Sequence, residues 1–211
     1  MANDFSIKIR DLGKKFNREW IFRGLNLELH QGQAYAVTGP NGSGKSTLLK
    51  IISGIAPPSS GEIEYFGNGK KINASDIYKH IVACTPYLEI IEELTLREFL
   101  DFHFQFKKIS YNIAIDDLIE IMYLRNSKDK KIMDFSSGMR QRLKLGIAFY
   151  SNSEIVLLDE PTMNLDQKAI DWYHEQIKNT SKDKLLLICS NQSDEYRFSN
   201  QVIDINQFKK K

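Results

Sequence analysis

The period of the apolar positions changes along this chain, and each period predicts a kind of element. Alternation comes first. Phe5-Ser-Ile-Lys-Ile-Arg10 and Leu25-Asn-Leu-Glu-Leu29 carry an apolar side chain at every second position, as strands buried on one face do. Gln33-Ala-Tyr-Ala-Val37 is a short apolar run and reads as a buried strand. Glu62–Phe66 reads as another, preceded by the loop Pro57-Pro-Ser-Ser-Gly61 and ended by the turn Gly67-Asn-Gly69. The first two strands predict an antiparallel β element beside the third. From about residue 95 to 125 the period becomes helical. Leu96, Phe99, Leu100 and His103 recur at helix spacing, with Phe102, Phe104 and Phe106 interleaved. Ile113, Ile115, Leu118, Ile119, Met122 and Tyr123 mark a second amphipathic helix. The two helices predict a helical subdomain whose core holds the phenylalanines. Glu154–Leu158 and Lys184–Cys189 are continuous apolar runs, as in parallel strands covered on both faces. Asp166–Thr180 between them predicts a crossover helix and a βαβ unit.

Composition narrows the class. The chain is 211 residues long, 42% hydrophobic and 27% charged, an ordinary globular balance with ample length for a core. The formal net charge of +2 gives no argument for nucleic acid, and the basic end Lys209-Lys210-Lys211 reads as solvated. Met1–Ser6 lacks the pattern of a signal peptide, and no run approaches the length of a membrane span. The expectation is a cytoplasmic protein whose membrane role, if any, is carried by a partner. Cys84 and Cys189 sit in apolar surroundings and are expected to be buried, reduced thiols.

Chemistry enters at Gly39-Pro-Asn-Gly-Ser-Gly-Lys-Ser-Thr47. It satisfies G-x-x-x-x-G-K-[ST] at Gly39, Gly44, Lys45 and Ser46, between an apolar strand and a helix closed by Gly54. Such a loop turns consecutive N–H groups onto phosphates, Lys45 supplies a cation, and the Ser46 hydroxyl is placed to ligate Mg²⁺. The helix start adds a favourable dipole for anions. This fixes the ligand class as a nucleoside triphosphate with Mg²⁺. Downstream, Ile155-Val-Leu-Leu-Asp159-Glu160-Pro161 is an apolar strand ending in two acids. Asp159 can hold Mg²⁺, and Glu160 can orient and deprotonate an attacking water. Phe135-Ser136-Ser137-Gly138-Met139-Arg140-Gln141-Arg142 runs into a helix over Leu143–Tyr150. Taken alone it is an ordinary helix cap as readily as a second anion site.

In these motifs and their order the chain resembles the nucleotide-binding subunit of an ATP-binding cassette (ABC) transporter, from about residue 5 to 205. The phosphate loop matches 39–47, the Asp-Glu strand matches 155–160, and the family signature, usually Leu-Ser-Gly-Gly-Gln, matches Phe135–Met139. The resemblance implies an α/β fold with a P-loop NTPase core, an antiparallel β subdomain and an inserted helical subdomain. It makes 1–211 a single ATP-binding domain, with the helical subdomain at about 88–150. It implies that two such chains, identical or related, pack head to tail around two ATP molecules with Mg²⁺. Gly39, Asn41, Gly42, Gly44, Lys45, Ser46, Thr47 and Asp159 of one chain would contact each ATP, and Ser136, Ser137 and Gly138 of the other would complete the site. Phe16 would stack on the adenine, with Trp20 as its rival. Asp166 would lie in the loop that crosses the dimer interface, and is equally an N-cap for the next helix.

Two family residues differ. Tyr87 stands where the family has a glutamine near the metal, and Asn191 stands where it has a histidine at the γ-phosphate. Asn191 would still bind the ATP by donating a hydrogen bond but cannot carry a positive charge, and the Tyr87 phenol is a poor substitute for an amide, so slow turnover is expected. The resemblance further implies a transmembrane partner, docked near Glu89-Ile-Ile-Glu92-Glu93, and an exporter-type transporter. A soluble ABC ATPase of an assembly complex and a low-turnover ATP-sensing module are the competing readings. The transported substrate is not encoded here.

Overall fold

A computed structural model describes residues 5–209. The expectations for Met1–Asp4 and for Lys210 and Lys211 lie outside the described residues.

The centre is a five-stranded parallel sheet in the order β6 (Ile81–Cys84), β7 (Ile155–Asp159), β8 (Leu185–Cys189), β3 (Ala34–Thr38), β9 (Gln201–Asp204). Every pairing in it is parallel, from Ile81 opposite Ile155 to Thr38 opposite Asp204. The continuous apolar runs have a direct physical reading, because alternate residues serve different cores. Ile155 and Leu157 of β7, Leu185, Leu187 and Cys189 of β8, and Tyr35 and Val37 of β3 face one cluster. Val156, Leu158, Leu186, Ile188 and Ala34 face the other.

The first cluster is closed by an antiparallel sheet, ordered β2 (Glu19–His30), β1 (Phe5–Phe16), β4 (Ser60–Gly67), β5 (Lys70–Ile72), and by the helix α1 (Lys45–Ile52). Ile7, Ile9, Leu25 and Leu29 supply its apolar face, as the alternation predicts. The β4–β5 connection is the expected tight turn, with both Asn68 (φ 52°) and Gly69 (φ 72°) left-handed. The second cluster lies beneath α2 (Leu96–Phe106), α3 (Ile115–Ile121), α4 (Ser137–Tyr150) and α5 (Gln167–Thr180). Thr95 and Glu98 form a reciprocal cap that starts α2: the Glu98 carboxylate accepts from Thr95 N–H at 2.8 Å, and Glu98 N–H donates to the threonine hydroxyl at 3.2 Å. Asp166 Oδ1 accepts from Ala169 N–H at 2.9 Å, so Asp166 caps α5.

Several expectations need correction. The helix expected over 113–123 is only α3, because Tyr123 takes φ 56° and ends it. The helix expected from Leu143 starts at Ser137, where the Ser136 hydroxyl accepts from Met139 N–H at 3.2 Å. Phe99 is buried, but Phe102 and Phe106 lie exposed on the outer face of α2, packed edge to face at 5.1 Å. Ile81–Cys84, read only as apolar surroundings for a cysteine, is an edge strand of the central sheet. Cys84 and Cys189 are buried and free. Among the described residues no helix is long and apolar enough to cross a membrane.

Opposite the carboxyl ends of the strands, buried cations tie the layers together. Lys184 donates to the carbonyls of Phe149 (2.9 Å) and Ser151 (2.7 Å), anchoring the end of α4 to the start of β8. His103 Nε2 lies 3.2 Å from Ser151 Oγ. Burial, reinforced by the Lys107 ammonium, pushes the His103 imidazole down to about 4. The native state therefore excludes a proton that the unfolded chain takes up at about 6.5. Stability is independent of this group above pH 6.5 and falls as the pH drops from there towards 4, by an amount of order 2–3 kcal/mol. Urea unfolding at pH 7 and pH 4.5 is expected to show a smaller acid-induced loss for His103→Gln than for the unmodified chain.

Candidate functional site

Because the central sheet is parallel, β3, β7 and β8 deliver their carboxyl ends to one edge. The loop after β3 is Gly39–Gly44, the end of β7 is Asp159 followed by Glu160, and the end of β8 leads to Asn191. One edge thus gathers the phosphate loop, both acids and the asparagine.

The loop is closed from inside. Lys45 is 6% exposed, and its ammonium donates to the Gly39 carbonyl at 2.6 Å. Gly44, in a left-handed conformation at φ 106°, is the N-cap of α1, so Ser46 and Thr47 occupy the first turn. Asn191 braces the loop from outside. Its Oδ1 accepts from Gly39 N–H at 3.3 Å, and its Nδ2 donates to Asn41 Oδ1 at 3.2 Å. The Ser43 hydroxyl is buried and has no hydrogen-bond partner among the described residues. A buried ammonium satisfied by neutral carbonyls beside an unpartnered hydroxyl suits an anion.

Asp159 is buried, and the Ser46 hydroxyl lies beside it. Burial holds the Asp159 carboxyl above its usual range. Ser46 and Lys45 oppose that rise, and Glu160 adds to it. A hydroxyl and one carboxylate, with no cluster of three or more ligating side chains among the described residues, match how Mg²⁺ is held when phosphates complete its shell. The residues present therefore fit Mg²⁺. Glu160 is partly exposed at φ 47°, and its N–H donates to the Cys189 carbonyl at 2.9 Å.

The remaining expected residues lie outside the phosphate loop, with Ser137 sharing a cavity with Glu160. Ser136 and Ser137 are exposed at the start of α4, and a Cβ on Gly138 would sit 2.9 Å from the Asn164 carbonyl. Ser137, Gln141, Glu160 and Asn164 line a common cavity of about 280 Å³. Phe16 ends β1 with its ring 54% exposed and the Lys14 ammonium 5.3 Å from its centroid. Trp20 is instead covered by Lys15 (5.5 Å) and the Arg23 guanidinium (4.8 Å). Tyr87 is exposed, with the Lys50 ammonium 5.5 Å from its ring.

Sequence reasoning gave no role to Gln141, Thr162 or Glu195. Gln141 Nε2 donates to the Pro161 carbonyl at 2.7 Å, and Thr162 N–H donates to Glu195 Oε1 at 2.9 Å. The only available signal was position. Gln141 directly follows the Ser-Ser-Gly-Met-Arg stretch, Thr162 follows Asp-Glu-Pro, and Glu195 lies in an otherwise polar segment with nothing to mark it as buried.

The fold and this edge together define an ATP-binding cassette. The sequence model of the ABC transporter family matches residues 22–163, and the chain belongs to that family. Among similar proteins is the bacitracin transport ATP-binding protein BcrA of Bacillus licheniformis, 33% identical over 182 residues that make up 86% of this chain and 60% of BcrA. Another is the ATP-binding cassette sub-family A member 7 of Rattus norvegicus, 33% identical over 90% of this chain but 9% of its own length. The chain thus spans less than two thirds of these relatives. Among solved structures, the ATP-binding cassette MJ0796, in a dimeric post-hydrolysis state bound to ADP and Pi, superposes with a TM-score of 0.79 at 23% identity, covering 94% of each chain. An ATP-binding subunit of an ABC transporter superposes at 0.81 and 24% identity, over 95% of this chain and 86% of that one.

The glycines of the loop are unequal. A Cβ on Gly44 would lie 2.4 Å from Ile21 Cγ2, whereas one on Gly42 (φ 77°) meets nothing within 4 Å. Gly42→Ala is expected to cost about 1 kcal/mol of backbone strain alone. Gly44→Ala adds overpacking and is expected to cost about 2–4 kcal/mol in total. Urea unfolding of the two variants checks the order.

Proposed function

We propose that this chain hydrolyses ATP to power a membrane exporter, working as one half of a head-to-tail dimer on the cytoplasmic face of the membrane. The observation that carries this reading is the convergence of Lys45, Ser46, Asp159 and Glu160 on one edge of the parallel sheet.

In this reading the Ser46 hydroxyl and the Asp159 carboxylate would hold Mg²⁺, which would supply charge neutralisation at the phosphates. The loop N–H groups and Lys45 cradle the β- and γ-phosphates, and Lys45 exchanges its carbonyl partners for phosphate oxygens. Glu160 accepts the proton of the attacking water. Phe16, exposed and with one cation over its ring, offers itself to the adenine, while Trp20 has two cations over its ring. Ser136 and Ser137, exposed in this chain, and Gly138 beside them meet the ATP of the second copy or of a related chain. Asp166 and Asn164 lie at that interface, where Asp166 also serves as the α5 cap.

The transmembrane partner docks on the groove of about 820 Å³ between 86–93 and α4. This groove is less acidic than the sequence suggests, because Glu92 is already paired with Arg140 at 2.9 Å. What remains for a partner is the exposed apolar set Tyr87, Leu88 and Ile91 beside Glu89 and Glu93. The name of BcrA, a transport ATP-binding protein, agrees with the transporter role.

Slow turnover follows from two side chains. Asn191 cannot carry a positive charge and is engaged with Gly39 and Asn41, and Tyr87 offers a phenol in place of an amide. Glu160→Gln is expected to abolish turnover by about 10²-fold or more while ATP affinity is retained, and unchanged phosphate release would overturn the reading. Copurification of the tagged chain from detergent-solubilised membranes is expected to yield a polytopic membrane protein at comparable stoichiometry. A soluble scaffold in its place would favour an assembly ATPase.

A further inference from the structure

The turn after Glu160 is hydrogen-bonded to three separate elements. A left-handed φ at a residue with a side chain, as at Glu160, is strained and persists where the surroundings over-determine it. The surroundings here do so. Glu160 N–H donates to Cys189 O at 2.9 Å, and Met163 N–H donates back to Glu160 O at 3.1 Å. Gln141 of α4 donates to the Pro161 carbonyl from one side. From the other, Glu195 Oε1 accepts from both the N–H and the hydroxyl of Thr162.

Glu195 is the costly member of this set. It lies in the short helix α6 (Ser193–Tyr196) and is 1% exposed. Its Oε2 has no hydrogen-bond partner among the described residues. An unsatisfied buried oxygen is destabilising, because it has given up water and gained no partner. Docking of α6 does not need the carboxyl, because the Tyr173 hydroxyl bonds to the Glu195 main-chain carbonyl at 2.8 Å. The carboxyl serves the 160–162 turn. The same segment begins at Asn191, which braces the phosphate loop. The stretch Asn191–Glu195 thus references the turn to the loop, through Asn191 on one side and Glu195 on the other.

We propose that Glu195 is a positioning residue that fixes the turn through Thr162 and so aims the Glu160 carboxylate at the attacking water. This rests on Glu160 acting as the base, as proposed above. The test is steady-state ATP hydrolysis by the full chain, paired with the affinity for a fluorescent ATP analogue. The variants are Glu195→Ala, Glu195→Gln, Thr162→Val and the double variant Glu195→Ala/Thr162→Val. Glu195→Ala is expected to lower kcat about 10- to 100-fold at unchanged affinity. Glu195→Gln, whose amide oxygen still accepts from Thr162 N–H, is expected to recover kcat to within about threefold of the unmodified chain. The double variant is expected to be no slower than Glu195→Ala, since that change already removes the hydroxyl bond that Thr162→Val breaks. Should Glu195→Ala not fold, Thr162→Val carries the test, with a loss of about threefold or more expected. A folded Glu195→Ala or, failing that, Thr162→Val with the kcat of the unmodified chain overturns the proposal. So does a parallel fall of kcat and affinity that Glu195→Gln does not rescue. An unmodified chain that binds the analogue without hydrolysing ATP overturns the base role and the positioning role together, whereas an active chain indifferent to Glu195 overturns the positioning role alone.

Discussion

Burial of both faces of the parallel sheet is the constraint on which the rest of the molecule depends. The residues of β7 and β8 are fully covered, and neighbouring positions feed different cores. Such strands have no face left for polar chemistry, so it must gather where they end. Asp159 shows the result. It closes β7, is itself buried, and is kept tolerable by the Ser46 hydroxyl and the nearby Lys45 charge. The antiparallel sheet on one side and the helices on the other supply the cover that lets those strands exist.

The site edge is held together by short-range polar bonds that cross elements distant in sequence. Asn191 reaches Gly39 and Asn41, Gln141 reaches Pro161, and Thr162 reaches Glu195. Each joins a loop to a loop or to a helix end. The strands fix where those loops start, and these bonds fix how they turn. Left-handed backbone at Glu160 and Asn164 is the cost of that turn.

What was legible in the sequence followed from period and motif. Continuous runs announced β7 and β8, alternation announced β1 and β2, and the glycine loop with its flanking strand and helix announced the phosphate site. The misses have physical reasons. β6 is four residues long and shares its apolar character with any buried segment, so no period marks it. Phe102 and Phe106 are on the solvent face of α2 because an eleven-residue helix turns its positions through every direction, whatever their hydrophobicity. The helix after Ser136 begins earlier than apolar spacing suggests, because a hydroxyl cap and polar residues open it. Glu195 was invisible, because its burial comes from packing beneath Thr162 and Tyr173 and leaves no trace in its neighbours.

The anchor at the far end of α4 gives that helix the geometry of a lever. Lys184 grips the carbonyls of Phe149 and Ser151, while the opposite end, at Ser136 and Ser137, is exposed. A helix of this length spans about 21 Å, so a swing of about 5° about the Lys184 anchor would carry its Ser136 end through about 2 Å, against the hold of Gln141 on the Pro161 carbonyl. The groove at 86–93 touches the same helix partway along, through Arg140 and Lys144. A push delivered there acts on the arm between pivot and tip, and the displacement it produces is greater at the tip than at the point of contact.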